Sequence, residues 1–188
     1  MTALRVTIAG AASALLLAAC GTEATQTAQT AVTATSPPPA TSATPRVPSA
    51  APSVPAALKF SAKTLDGKAF QGESLAGKPV VFWFWAPWCP KCRAEAPHVK
   101  SAAATYRDVA FVGVASLDSE AAMKEFVQRT GTGAITHLSD EKGEVWADLG
   151  IASQSTFLFL KPDGTTTKAS GPLDAQELNA HVEKLRAG

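Results

Sequence analysis

Two cysteines with two residues between them, Cys89-Pro90-Lys91-Cys92, are the part of this 188-residue chain best suited to chemistry. One helical turn at this spacing brings two sulfurs within bonding reach, so the pair can open and close a disulfide. The same pair could also form half of a metal site. There is no second cysteine pair, and His98 is the only histidine close by in sequence, so redox exchange is the expected use and no metal site is expected. Lys91, between the cysteines, adds positive charge that favours a thiolate.

The elements that must position the pair are readable on both sides of it. Upstream, Pro79-Val80-Val81-Phe82-Trp83-Phe84-Trp85-Ala86 is an unbroken apolar run rich in β-branched and aromatic residues, which predicts a strand buried on both faces. Downstream, Cys92, Ala96, Val99, Ala103 and Tyr106 recur at steps of four and three, one face of an α-helix. Cys92 is then buried. Cys89 falls at the strand-to-helix turn, where unpaired backbone N–H groups and the helix dipole favour an anion. The expectation is one exposed, reactive sulfur and one shielded partner. Pro97 removes a helical N–H and predicts a kink.

Around this unit the pattern predicts a hairpin over 58–65 and 68–75 turning at Asp66-Gly67, and a second buried strand over 109–115. A helix follows over 119–130, capped by Asp118 or Ser119, with Met123, Phe126, Val127 and Thr130 on one face. A short helix over 141–149 ends at Gly150, and a second hairpin spans 157–170. The last helix starts at Asp174, with Glu177 completing a capping box and Ala175, Leu178, Val182 and Leu185 as its apolar face. The β-helix-β alternation implies an α/β fold with a parallel core. Trp85 and Trp146 are expected in the core; His98, His137 and His181 are expected at the surface or on helix edges.

The first 56 residues have a different character. Arg5, an apolar stretch over 6–17 and Leu17-Ala18-Ala19-Cys20-Gly21 resemble a bacterial lipoprotein signal, which implies a signal over 1–20 and lipidation of Cys20. The stretch falls short of the roughly 20 residues that span a bilayer. Lipidation accounts for the odd one of three cysteines. Residues 21–56 are Thr, Ala, Pro and Ser almost throughout, with Glu23 and Arg46 as the only charges, and are expected to form a disordered tether. Its root-mean-square reach would be roughly 30 to 36 Å. One domain is expected over 57–188, held on the extracytoplasmic side of the cell membrane. With 17 Lys and Arg against 16 Asp and Glu, and no basic stripe, nucleic acid is not an expected partner.

The order of elements, the early Leu65-Asp66-Gly67 and the segment Phe84-Trp85-Ala86-Pro87-Trp88-Cys89-Pro90-Lys91-Cys92-Arg93-Ala94-Glu95-Ala96-Pro97 together resemble extracytoplasmic thioredoxin-fold proteins. Among these the chain is most similar to the DsbE/TlpA/ResA-like thiol-disulfide oxidoreductases. The resemblance covers nearly all of 57–188. It implies a thioredoxin-like fold with an added N-terminal β-hairpin and a central mixed sheet flanked by helices. It further implies a monomeric enzyme without a cofactor, acting on thiols or disulfides of exported proteins and served by a membrane redox partner. Cys89 would exchange and Cys92 resolve. Glu95 matches the family's glutamate beside the buried thiol and would relay its proton. Trp88, Pro90 and Lys91 would border the substrate groove, with the loop Gln154-Ser155-Thr156 facing the cysteines.

Two positions depart from the pattern: Ser155 stands where the family has a cis-proline, and Trp83 where thioredoxins proper have a buried aspartate. A cis bond before serine costs about 3 to 4 kcal/mol, so the Gln154-Ser155 bond is expected to be either trans with an altered loop or a strained cis form. Disulfide donation is the expected direction. The alternatives are reduction for cytochrome c maturation, a thiol peroxidase, and a metal carrier using the same cysteines, the last suggested by Ser155.

Overall fold

A computed structural model of the protein describes residues 54–187. Its centre is β3 (Val80–Trp85), every residue of which is buried. Parallel to it run β4 (Ala110–Ala115) and, beyond, β5 (Thr136–Ser139). On the other flank β6 (Thr156–Leu160) pairs antiparallel with β3, and β7 (Thr166–Ser170) pairs antiparallel with β6. The hairpin of β1 (Ser61–Thr64) and β2 (Ala69–Gln71) joins through β5, giving a seven-stranded mixed sheet in the order β2-β1-β5-β4-β3-β6-β7.

Alternation along β3 sorts the core into two layers. Val81, Trp83 and Trp85 face α1 (Pro90–Thr105), α2 (Glu120–Thr130) and α4 (Ala175–Arg186). Val80, Phe82 and Phe84 face Leu58, Phe60 and the short α3 (Glu144–Asp148), which contributes Val145 and Trp146. Covering both faces of one strand is why the run that encodes it is apolar without interruption.

Helix ends follow the expected chemistry in most places. The Ser119 hydroxyl accepts the Ala122 N–H at the start of α2, and α4 has its full capping box at Asp174 and Glu177. Three expectations are corrected. The first hairpin is shorter, because Ala56–Leu58 and Gly72–Leu75 form 3₁₀ turns that tuck Leu58 and Leu75 into the core. The α3 helix starts at Glu144, not Glu141, because the buried Asp140 carboxylate accepts the Val145 and Trp146 N–H groups at 3.2 and 2.9 Å in place of a further helical turn. Along α1, Ala102 is buried and Ala103 only partly so, while Ala175 on α4 is exposed. Pro97 lies on an exposed side of α1, which continues past it.

The strand β5 was not expected, and with it goes the surface reading of His137. The ring is only 5% exposed, set edge-on to Trp83 and Trp85, with Nε2 3.1 Å from the Thr132 carbonyl. Gly113, its register partner on β4, makes this possible, since a side chain there would strike the imidazole. His98 and His181 are half-buried on their helices, and His181 stacks on Phe159. Burial pushes the His137 pKa down from 6.5 to about 4, so the folded protein holds it neutral. The unfolded chain takes up that proton near pH 6.5 and the folded one only near 4. Stability is therefore lost as pH falls through this window, by about 3 kcal/mol in full. His137→Leu is expected to flatten the dependence of Tm on pH between 6.5 and 4, as followed by circular dichroism.

Candidate active site

The site is built where β3 runs out. After Trp85 the chain turns through Ala86, Pro87 and Trp88, with the Cys89 N–H donating to the Ala86 carbonyl at 3.2 Å. Pro90 opens α1 at the position where a missing N–H costs nothing. Cys89 is the N-cap, and its Sγ accepts the Cys92 N–H at 3.1 Å. The two cysteines are disulfide-bonded, with Cα atoms 5.3 Å apart. The expected asymmetry of exposure is not found: Cys89 is 3% exposed and Cys92 0%. The reason is the cap itself, because a side chain that folds back over the first helical turn does not project outward. Pro90 and Lys91 are exposed on that turn.

Exposed apolar surface lies beside the disulfide. Trp88 is 52% exposed and its indole N–H donates to the Leu117 carbonyl at 3.2 Å. Leu117 is itself 50% exposed, with a left-handed backbone at φ 65°, a conformation that is costly for a residue with a γ-branched side chain. Sequence reading missed Leu117. Its only signal was a large apolar residue between a strand and the cap of the next helix.

Glu95 is the most connected side chain of the site. Three residues along α1 from Cys92, it is fully buried. Its Oε1 accepts the Leu173 N–H at 2.9 Å, and its Oε2 accepts the Trp83 indole N–H at 3.1 Å and the Ser155 hydroxyl. Helix α1, strand β3, the loop before β6 and the loop after β7 thus meet on one carboxylate. The approach depends on Gly171, where a Cβ would strike both the carboxylate and the Ser155 hydroxyl. Burial pushes the Glu95 pKa up, against the three hydrogen bonds and the Lys91 charge, which favour the ionised form.

The Gln154-Ser155 bond is cis rather than trans. Gln154 is half-buried, while the Thr156 hydroxyl donates to the Ser153 carbonyl at 2.7 Å within the loop. Trp83, in the place of the aspartate of thioredoxins proper, points its one polar atom at Glu95. Among the described residues no three His, Cys, Asp or Glu side chains gather as a metal site would need. A cleft of about 600 Å³ lies between the first hairpin and α2, away from the cysteine motif. Cys20 and nearly all of the expected tether lie outside the described residues.

The AhpC/TSA family profile matches residues 55–169. The soluble secreted antigen MPT53 of Mycobacterium tuberculosis is 43% identical over 131 residues, which cover 68% of this chain and 75% of that protein. The thiol-disulfide oxidoreductase ResA of Oceanobacillus iheyensis is 31% identical over 144 residues, covering 74% and 73%. Among solved structures, MTB dsbF in its mixed oxidized and reduced forms aligns with a TM-score of 0.69 at 50% identity, covering 71% of this chain and 99% of that one. A secreted M. tuberculosis disulfide oxidoreductase homologous to E. coli DsbE aligns with a TM-score of 0.66 at 42% identity, covering 69% and 98%. The fold is thioredoxin-like, with the added hairpin and the mixed sheet in their expected places.

Proposed function

The chain belongs to the AhpC/TSA family, and from that premise we propose that it donates disulfides to cysteines of exported proteins through the Cys89-Cys92 pair. It is a thiol-disulfide oxidoreductase, as its relatives ResA and the DsbE homologue are named. The observation that carries the direction is the cap: Cys89 Sγ already accepts the Cys92 N–H at the N-terminus of α1. When the disulfide opens, that bond, the helix dipole and Lys91 stabilise a thiolate on Cys89, and a stabilised thiolate makes the disulfide more oxidising.

In the forward reaction a substrate thiolate attacks Cys89 Sγ. The Cys89-Cys92 bond breaks and its electron pair goes to Cys92, where a proton from Glu95 quenches the charge. A second substrate thiolate then attacks the substrate sulfur of the mixed disulfide, and Cys89 leaves as a thiolate. The substrate loses two electrons to the two cysteines, and a membrane partner that accepts two electrons restores the disulfide. The spacing of Glu95 from Cys92, three residues along the helix, supports the transfer. Lipidation of Cys20 would hold the domain at the membrane, and loss of membrane partition in Cys20→Ala would test it.

The exposed pair Trp88 and Leu117 supplies apolar contact for the incoming chain. Leu117→Gly relieves the left-handed backbone and is expected to raise stability by about 1 kcal/mol, read as Tm. It is also expected to reduce kcat/KM for peptide dithiols about tenfold while sparing a small dithiol, since a buried leucine side chain contributes about 1.5 to 3 kcal/mol.

The reading is tested by the midpoint potential of the Cys89-Cys92 couple in glutathione buffers, followed by tryptophan fluorescence. A value of about −120 to −180 mV supports donation. One near −270 mV or below makes the protein a reductase. Failure to cycle overturns the redox reading.

A further inference from the structure

Three hydrogen-bond partners touch the Glu95 carboxylate, and they are not equivalent. The Trp83 indole N–H and the Leu173 backbone N–H can only donate. The Ser155 hydroxyl can donate or accept. With Glu95 ionised, all three donate and the carboxylate is satisfied. With Glu95 protonated, its new O–H must itself find an acceptor, and the two N–H groups offer none. Ser155 Oγ is the one atom of the three that can turn to receive it.

We propose that Ser155 is a positioning residue for the proton of Glu95, its reversible hydroxyl letting a fully buried carboxylate hold or release that proton without losing a partner in either state. The assignment rests on the redox reading above for the use of the proton, but the hydrogen-bond argument stands without it. In the reaction already written, Glu95 gives its proton to the Cys92 thiolate and is left ionised. Ser155 then reverses from accepting the Glu95 O–H to donating its own, and no further atom or electron is required. Gly171 leaves the space in which the two groups meet.

Few charges compete for this role. Lys91 on the first turn of α1 acts on Glu95 from a distance, and the cysteines lie on the same helix. His137 on β5 packs against Trp83, not against the carboxylate. Asp174, next to Leu173, is turned to its own helix and accepts the Glu177 N–H. The direction of the effect follows from which bond is stronger. Removing the hydroxyl deprives the ionised form of a charge-assisted bond and the neutral form of an ordinary one, and the first is roughly twice as strong. Hydroxyl-free variants therefore hold the Glu95 proton more tightly.

The test is a carbon-13 carboxyl titration of the full-length chain in oxidised and reduced states, with the Glu95 resonance identified by its loss in Glu95→Gln. Ser155→Ala and Ser155→Pro, two independent hydroxyl-free variants, are expected to raise the proton affinity of Glu95 about tenfold. The pH profile of disulfide exchange is expected to move with it. Ser155→Thr, which keeps the hydroxyl, is expected to restore the wild-type midpoint and profile. An unchanged Glu95 midpoint in whichever hydroxyl-free variant folds, or a threonine variant that behaves as alanine does, overturns the proposal. A wild-type protein whose Glu95 midpoint responds to Ser155 but which never exchanges disulfides overturns the redox reading and supports the Ser155 assignment.

Discussion

Cys92→Ser is expected to turn the protein from a catalyst into a trap. A client thiolate cannot open a disulfide that no longer exists, but Cys89, left alone, can attack a client disulfide, bonding one client sulfur and releasing the other as a thiolate. Without a resolving thiol the mixed disulfide has no route out from the enzyme side. Clients are then expected to accumulate as adducts that survive a non-reducing gel and vanish on reduction, while turnover falls to the uncatalysed rate. Cys89→Ser is expected to lose turnover equally and to form no adducts, because Cys92, inside α1, lacks the N-cap position that stabilises a thiolate on Cys89. The two variants thus share one kinetic phenotype and differ in one covalent one. Adducts on Cys92 in the Cys89→Ser protein would show that the assignment of the two sulfurs is reversed.

The second large effect is expected at Glu95. In Glu95→Ala the Trp83 indole N–H and the Leu173 N–H remain buried with nothing to donate to, and each such group costs about 1 to 3 kcal/mol. The expected loss is about 2 to 6 kcal/mol, visible as a Tm lower by roughly 10 °C or more for a domain of this size. Glu95→Gln keeps an acceptor and separates charge from shape. The folded-state pKa of Glu95 is raised, so the native protein binds its proton more tightly than the unfolded chain does. That contribution to stability is fully present below pH 4.5, the ordinary value, and is lost as pH rises through the raised folded value. Glu95→Gln is expected to flatten the fall of Tm with rising pH above 4.5 and to leave the acid limb, set by His137, in place. A profile unchanged by Glu95→Gln would mean the carboxylate ionises in the fold as freely as in the unfolded chain.

The parts of the site that were legible in the sequence are those encoded by neighbours. The apolar run 79–86, the cysteine spacing, the turn at Asp66-Gly67 and the Asp174 cap each act over a few residues, and each element appears where its pattern falls. The parts that were not legible are made by residues distant in the chain. The strand β5 is four residues long and three of its positions are polar, so its identity comes from pairing with β4 and β1. His137 is buried because a glycine on another strand leaves room for it. Glu95 could be placed near Cys92 from helix spacing, but its three partners come from β3 and from two loops that fold brings together. The burial of Cys89 was missed for a different reason: spacing fixes where a cap residue sits, not which way its side chain turns.

The close packing at Gly171 has a consequence for how this sequence can drift. Position 171 is neither in a strand nor near the cysteines along the chain, and its φ does not call for glycine, so an inspection of backbone angles would mark it as free to vary. A saturation scan is expected to find it as intolerant as the cysteines themselves, since even a methyl group would evict a carboxylate fixed on the opposite helix. The hairpin that ends there would then carry a constraint imposed by redox chemistry, and its sequence record would read as selection on function where the geometry alone looks permissive.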